Sequence, residues 1–243
     1  MEVMTRIALR PLALPPEHGA WAFLLEPIAV GLLIAPSAGG AWIAAGAIAA
    51  FLSRHPLLLA LRDRENGRRY PRTAICERLG LGYAALAVLA LAQVPMKALL
   101  PLAAALPLVV LHMRSSGRSV GSELAAVVAP SATVAAIALA AGVSPFTAVA
   151  LWVLIAARAI AAVLFVRSAL RGESRAVMLF GHVVALIVAA ALSFAHIVAF
   201  GAAAAMLVLL VRALPHQRWP SARALGIREL LYGALTVVLI AVA

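Results

Sequence analysis

The chain contains few cysteines, few acidic residues and few aromatic residues. Its 243 residues include one cysteine and nine aspartates and glutamates, and 6% of them are aromatic. The single Cys76 excludes an internal disulfide framework and a cysteine metal site. Charged residues amount to 12% of the chain, whereas about 25% is usual in soluble globular domains. This composition excludes an ordinary soluble globular domain.

Several motifs of soluble enzymes are also missing. The sequence has no P-loop, no dinucleotide-binding fingerprint and no set of Ser, His and acid residues in a recognisable arrangement. Hydrophobic residues make up 65% of the chain and form continuous runs rather than short alternating segments. The pattern predicts an all-α, polytopic membrane helical bundle. Because the connections between the runs are short, residues 1–243 are expected to form a single transmembrane domain.

The apolar runs are close to the length of about 20 residues that a helix needs to cross a bilayer. We predict about nine transmembrane helices. They are His18–Pro36, Gly39–Leu61, Leu79–Gln93, Lys97–Met113, Glu123–Ala141, Pro145–Arg167, Ala176–Leu192, Phe194–Ala213 and Ile227–Ala243.

The distribution of basic residues predicts the orientation of these helices. With the N-terminus in the cytoplasm and the C-terminus outside, the outer turns contain only Lys97 of the 20 lysines and arginines. Lys and Arg are retained in cytoplasmic loops, so this sorting supports a multi-pass protein with its main basic inner loop at residues 62–80. The net charge of +11 is interpreted as inner loops facing anionic lipid, with no nucleic-acid partner.

Five polar residues lie at similar depth within the predicted helices. Counted at about 1.5 Å per residue, they are about 9–13 Å from the inner ends of their helices; they are Glu26, Arg54, Ser131, Arg158 and His182. Ionisable groups inside a membrane are costly and are functional candidates by default. One interpretation is a hydrated cavity open to the cytoplasm. The other is a structural tie between Glu26 and either Arg54 or Arg158, with His182 as a satisfied core residue.

The two interpretations differ in what they imply for a ligand. Two arginines facing one carboxylate leave surplus positive charge, which is expensive in a low-dielectric environment unless an anion compensates it. Arg54 and Arg158 are therefore candidate ligands for an anionic head group.

A second candidate is the segment PPEHGAW near the N-terminus. It combines Pro16, His18, Gly19, Ala20 and Trp21 at the start of the first predicted helix. A helix N-terminus that points into an inner cavity favours an anion, which makes His18 a candidate head-group ligand. The alternative is an ordinary interfacial anchor, since tryptophan is enriched at membrane interfaces.

This segment and its continuation, PPEHGAWAFLLEPIAVGLL, resemble the opening of the YwiC-like proteins, a family of bacterial integral membrane proteins of poorly defined function. The arginine-bearing sixth segment, AARAIAAVLFVRSALR, is also similar to theirs. The resemblance implies a multi-pass protein of the bacterial cytoplasmic membrane.

More remotely, the nine-helix plan resembles the UbiA superfamily of intramembrane prenyltransferases. The resemblance aligns Asp63 with the middle aspartate of the family's first acidic motif, and Arg72 and Thr73 with its Arg-Thr pair. The second acidic motif falls near Arg167 and Arg171, which have the same spacing but the opposite charge. The first motif's other acidic positions are occupied by nonacidic residues, including Gly67.

The lost carboxylates change the expected chemistry. Mg²⁺ needs hard oxygen ligands, whereas arginines hold phosphate directly by bidentate hydrogen bonds. The resemblance therefore implies head-group binding by Arg72, Arg167 and Arg171 with no metal and no evident cofactor, and Mg²⁺ is not expected.

We expect a membrane lipid or isoprenoid as the partner: an anionic amphiphile in an inner-leaflet cavity, bound by a lipid-binding protein or by a divergent, metal-independent transferase. A small-anion transporter and a non-catalytic accessory subunit are the alternatives that the sequence leaves open.

Overall fold

The computed structural model describes residues 9–15, 18–67, 70–115, 119–215 and 221–242. The described residues form ten helices and no strand. The helices are α1 (Arg10–Ala13), α2 (His18–Ile34), α3 (Ala38–Glu65), α4 (Pro71–Leu91), α5 (Met96–Arg114), α6 (Val120–Ala140), α7 (Pro145–Arg171), α8 (Arg175–Phe194), α9 (Gly201–Ala213) and α10 (Ala222–Val242).

The lengths of these helices suit a membrane protein. Seven of the helices in the described ranges, α3 to α8 and α10, are long and apolar enough to cross a membrane. Helices α2 and α9 are apolar but shorter, with 17 and 13 residues. The prediction of an all-α membrane bundle is confirmed, and the expected count of about nine agrees roughly with seven long and two shorter helices.

The loop within the basic segment 62–80 is shorter than we predicted. Helix α3 continues to Glu65 and α4 begins at Pro71, so most of the segment is helical. Pro71 occupies the first turn of α4, where its missing N–H costs nothing. The sequence prediction took the change in hydropathy as the end of each helix, but a helix continues beyond the apolar layer when its polar residues find partners.

The eighth predicted segment, Phe194–Ala213, is also corrected. Helix α8 extends to Phe194, and α9 begins only at Gly201. The backbone turns between them, with His196 at a positive φ of 56°. The hydroxyl of Ser193 donates to the carbonyl of Ala199 at 3.1 Å, which closes this turn. An apolar run without Gly or Pro at this point gave no sign of the break.

Serine side chains start several of the helices. The hydroxyls of Ser37, Ser119 and Ser144 accept hydrogen bonds from backbone N–H groups in the first turns of α3, α6 and α7. These caps satisfy donors that have no partner within the helix. Gly172 ends α7 in the left-handed conformation, at φ 67°. Because these residues start or end a helix within a few positions of the neighbouring helix, the turns between the helices are short.

Six of the helices form a ring. Helix α6 packs on α7, α7 on α8, α8 on α9, α9 on α10 and α10 on α2, and α2 returns to α6. Small residues permit close approach at the α2–α6 contact, where a Cβ on Gly31 would lie 3.0 Å from the Cβ of Ile137. Helices α3, α4 and α5 lie outside the ring, with α3 and α5 packed on α6. The ring positions the side chains that form the site.

One half of the ring interior is apolar and closed. Val30, Val134, Leu151 and Leu154 belong to one buried cluster contributed by α2, α6 and α7, which Val237 of α10 joins. In the predicted orientation these residues lie on the outer side of Glu26, Ser131 and Arg158. The ring is therefore filled on its outer side, and its buried ionisable groups lie towards the inner side.

The orientation is testable with single cysteines. In a Cys76→Ser background, Ala38→Cys and Ser174→Cys place an exposed thiol at the start of α3 and in the α7–α8 turn. We expect an impermeant maleimide to label Ala38→Cys from outside intact cells and Ser174→Cys only after the membrane is opened. Labelling of both from the same side would contradict the predicted topology.

Candidate functional site

A buried ion pair joins α2 to α7. The Nε atom of Arg158 lies 2.9 Å from Oε1 of Glu26, and the two side chains are 1% and 5% exposed. The geometry of this contact does not allow a hydrogen bond. Nε of Arg158 and Oε1 of Glu26 therefore form an ion pair without one. The Nη2 atom of Arg158 is buried and has no hydrogen-bond partner. The contact compensates charge, but it leaves hydrogen-bonding capacity unused in the protein interior.

A second ion pair lies between α9 and α10. Both Nη atoms of Arg212 contact the carboxylate of Glu229, with Nη2 3.0 Å from Oε2. The guanidinium of Arg212 lies between the rings of Phe165 and Tyr232, 4.4 and 4.2 Å from their centroids. The two rings add cation–π attraction to the ion pair. The arrangement holds a charged guanidinium in a nearly dry environment.

His182 on α8 lies close to both ion pairs. Its ring is 6.1 Å from that of Phe165, the ring that also packs on Arg212. His182 is close enough to Arg212, Glu229 and Arg158 to interact electrostatically with all three. Its Nδ1 is 2.9 Å from the carbonyl of Met178, and its buried Nε2 has no partner. The structure thus brings His182 close to Arg158, and a functional polar layer that includes both residues and Glu26 stays a prediction.

Sequence reasoning missed Arg212 and Glu229. Arg212 lies near the end of the eighth predicted segment, and neither residue was named as a candidate. Glu229 was placed just inside the ninth predicted segment, and it is one of only nine acidic residues in the chain. That position was the available signal, because a carboxylate inside an apolar helix needs a partner. With Glu229 included, two carboxylates balance two arginines, and the surplus positive charge expected around Glu26 is absent.

A groove in the side of the bundle leads from exposed residues inward to Glu26. It lies between α2 and α10, has a volume of about 330 Å³, and is lined by Leu25, Glu26, Ala29, Gly233, Ala234 and Val238 among others. Its walls are almost entirely apolar apart from Glu26. Leu25 and Val238 are 42% and 53% exposed, so the rim of the groove faces the surroundings of the bundle.

Gly233 opens the groove onto the ion pair. A Cβ at this position would lie 3.1 Å from Oε2 of Glu26 and 3.4 Å from Nη2 of Arg158. The missing side chain therefore leaves a carboxylate oxygen and an unpartnered guanidinium nitrogen next to the same point of the groove wall.

Arg54 and Ser131 do not join this centre. The exposed Arg54 lies 3.0 Å from Nε2 of His112, and Nδ1 of His112 is 3.0 Å from the hydroxyl of Ser122. Ser131 is buried and donates to the carbonyl of Val127 in its own helix. The alternative in which Glu26 pairs with Arg54 is wrong, because Glu26 contacts Arg158 and Arg54 contacts His112. Equal depth does not bring side chains together when they point away from the ring.

The acidic-motif residues form a cluster of their own. Asp63 accepts hydrogen bonds from Nε and Nη2 of Arg72, at 3.2 and 2.8 Å, and from the hydroxyl of Thr73, at 2.8 Å. The Thr73 hydroxyl also accepts from the backbone N–H of Tyr70. These contacts tie the end of α3 to the start of α4. Both oxygens of Asp63 are occupied by protein donors, so the cluster does not fit the Mg²⁺ site of a prenyltransferase.

Arg167 and Arg171 also face carboxylates. Arg167 contacts Glu123 at 2.7 Å and binds Glu173 through two hydrogen bonds, and Arg171 contacts Glu123 at 2.7 Å. The hydrogen bonds from Arg167 hold the pKa of the Glu173 carboxyl, in the α7–α8 turn, below its usual range. The stabilisation from this pair is present above the unfolded pKa of Glu173 and is lost as the pH falls through its lower folded pKa. The role of both arginines in anion binding stays a prediction.

The N-terminal motif is only partly within the described residues. Pro16 lies outside them, as does the side chain of His18. Gly19 has open space around the position of a Cβ. Ala20 is half-buried, and Trp21 packs edge-on against Phe51 at 4.9 Å between centroids. Trp21 thus joins α2 to α3, and both interpretations of the motif stay predictions.

No group of three or more His, Cys, Asp or Glu side chains among the described residues could hold a metal ion.

Comparison with known proteins gives one match. A family model described as "YwiC-like protein" matches residues 14–141 of the chain. No curated protein matches, and neither does any solved structure. The resemblance to UbiA prenyltransferases therefore stays a prediction.

Proposed function

The chain belongs to the YwiC-like family, and from this premise we propose that it is a multi-pass protein of the bacterial cytoplasmic membrane that binds a lipid or isoprenoid amphiphile. The apolar part of the amphiphile occupies the groove between α2 and α10, and its polar end contacts Glu26 and Arg158. The observation that carries the proposal is the apolar groove of about 330 Å³ that ends at a buried ion pair.

The shape and lining of the groove suit an amphiphile from the membrane. Ligand sites are usually apolar pockets of about 300–1,000 Å³ with a few polar groups that fix orientation. The exposed Leu25 and Val238 at the rim allow a ligand to enter sideways from the lipid. The unpartnered Nη2 of Arg158 offers the head group a hydrogen bond.

The expectation of an anionic head group, drawn from the sequence, is weakened. That expectation depended on surplus charge at Arg54 and Arg158. Arg158 faces Glu26, and Arg54 lies beside His112 outside the ring. The proposal of an amphiphile therefore depends on the groove and not on excess positive charge.

Enzymatic activity is a further part of the proposal. In a metal-independent transferase, Glu26 would be the group placed to hold or accept a proton at the head group, since it lines the groove. The UbiA-like resemblance favours such chemistry, although the acidic-motif residues are engaged with one another.

A transporter is the second candidate function. It is favoured by the buried ionisable groups that extend from Arg212 and Glu229 through His182 to Arg158 and Glu26, because such groups mark ion and proton pathways in membranes. Transport also needs access to the outer face. The apolar cluster around Val30, Val134 and Leu154 fills that side of the ring, which favours the amphiphile-binding proposal.

The groove is tested by filling it. Ala234 is exposed and lines the groove, and Ala204 is an exposed alanine on α9 that does not. We expect native mass spectrometry of the protein purified from membranes to detect a bound amphiphile in wild type and in Ala204→Leu. Ala234→Leu should lose it, since the larger side chain occupies the groove.

Thermal unfolding of the three proteins without added lipid provides the control for folding. Equal amounts of bound amphiphile in all three proteins would contradict the groove as the binding site. Absence of any bound amphiphile from wild type would contradict the proposed function.

A further inference from the structure

The polar end of the groove presents two different hydrogen-bonding atoms at one point. The place of the missing Cβ of Gly233 is 3.1 Å from Oε2 of Glu26 and 3.4 Å from Nη2 of Arg158. A carboxylate oxygen only accepts hydrogen bonds when ionised, and a guanidinium nitrogen only donates them. A head group that reaches Gly233 therefore meets an acceptor and a donor together.

The charges at this point select among head groups. A phosphate would gain from Arg158 but lie at least as close to the carboxylate of Glu26, and an ammonium group would face the opposite conflict. Like charges in a poorly solvated site are costly. A neutral group that both donates and accepts satisfies both atoms without adding charge to the pair.

A hydroxyl group meets this requirement, because it has one O–H donor and two acceptor lone pairs. It can donate to Oε2 of Glu26 and accept from Nη2 of Arg158, which has no other partner. We infer that the amphiphile bound in the groove is a long-chain alcohol whose hydroxyl is held between Glu26 and Arg158, with Gly233 as the residue that admits it. This inference rests on the proposed function and names the ligand class of that site.

Gly233 is a specificity-determining residue in this arrangement. An alanine there would place a methyl group against Oε2 of Glu26 and Nη2 of Arg158, between the ion pair and the hydroxyl. Gly226 lies on the same helix and has nothing within 4 Å of its Cβ position, so Gly226→Ala is the matched control. Both substitutions raise helix propensity equally, which leaves contact with the ion pair as the difference.

The test compares three probes with the same isoprenoid chain: farnesol, farnesyl phosphate and farnesylamine. Purified protein in a neutral detergent is titrated with each, and thermal stability is measured, since a ligand of the folded state raises the melting temperature. We expect farnesol to give the largest shift in wild type and in Gly226→Ala. Gly233→Ala should bind farnesol about tenfold more weakly, as the loss of about one charged hydrogen bond implies.

The outcomes separate the inference from the proposed function. A larger shift with the phosphate or the amine than with farnesol, lost in Gly233→Ala, would overturn the alcohol but retain the groove. Shifts that are equal in wild type and Gly233→Ala would overturn the role of Gly233. No shift with any probe would overturn the groove as an isoprenoid site. The comparison of probes in wild type decides the ligand class even if Gly233→Ala does not fold.

Discussion

Arg158→Met is expected to lower the free energy of unfolding by about 3–5 kcal/mol, the usual cost of leaving one partner of a buried ion pair alone. Arg158 is 1% exposed and its Nε lies 2.9 Å from Glu26. Without the guanidinium, the Glu26 carboxylate faces an apolar groove, and the field of Glu229 adds repulsion. The measurement is the unfolding midpoint in detergent, followed by circular dichroism.

The double variant Glu26→Met/Arg158→Met identifies the cause. Replacing a whole buried ion pair by apolar side chains of similar volume is often neutral or stabilising. We therefore expect the double variant to recover most of the stability lost in Arg158→Met. If both variants were equally unstable, packing around Arg158 rather than the charge of Glu26 would explain the loss.

Arg54→Met is the matched control. Arg54 is also a membrane-level arginine, but it is exposed and its described contact is a 3.0 Å interaction with His112. Substitutions of exposed side chains usually change stability by about 0.5 kcal/mol or less. A cost for Arg54→Met equal to that for Arg158→Met would contradict the assignment of the buried centre to α2 and α7.

Asp63→Ala is expected to cost about 2–3 kcal/mol of stability, because hydrogen bonds to charged groups contribute about 1.5–3 kcal/mol each and Thr73 would lose a buried partner. Asp63 is the acceptor for both Arg72 and Thr73, and its side chain is 5% exposed. The variant separates the end of α3 from the start of α4. Unfolding in detergent, compared with wild type, measures the effect.

Glu77→Ala is the control for this cluster. Glu77 pairs with Arg64 in the same region, with side chains 31% and 57% exposed, so its loss should cost less than about 1 kcal/mol.

Addition of Mg²⁺ should not raise the melting temperature of wild type, since both oxygens of Asp63 are occupied. A Mg²⁺-dependent rise that is lost in Asp63→Ala would show that the residue holds a metal.

The helices could be predicted from sequence because they depend on the apolar runs, whereas the sorting of arginines predicts only their orientation. The ends of the helices could not, because hydropathy reports the apolar layer and not the hydrogen bonds beyond it. Asp63 was predicted as a loop residue but lies in the last turn of α3, where Arg72 and Thr73 satisfy it. The break before Gly201 was missed because its neighbours are apolar.

The candidate site was predicted in part. Depth along a helix indicated that Glu26, Arg158 and His182 lie in one layer, since depth follows from counting residues. Which of two arginines faces Glu26 depends on how α2, α3 and α7 are rotated, and one sequence does not give that rotation. The pair of Arg212 and Glu229 was missed because Arg212 lies at the end of α9, where charged residues are usually solvated, and its contact with Glu229 of α10 depends on how the two helices pack.

The two shorter apolar helices, α2 and α9, lie on either side of α10. At about 1.5 Å per residue, α2 and α9 span about 25 and 20 Å, less than the roughly 30 Å hydrocarbon core of a bilayer. Both contact α10, which forms one wall of the groove. Such hydrophobic mismatch is accommodated by local thinning of the bilayer. Lipid head groups then lie nearer to the middle of α2 here than elsewhere around the protein, which shortens the path of a polar head to Glu26.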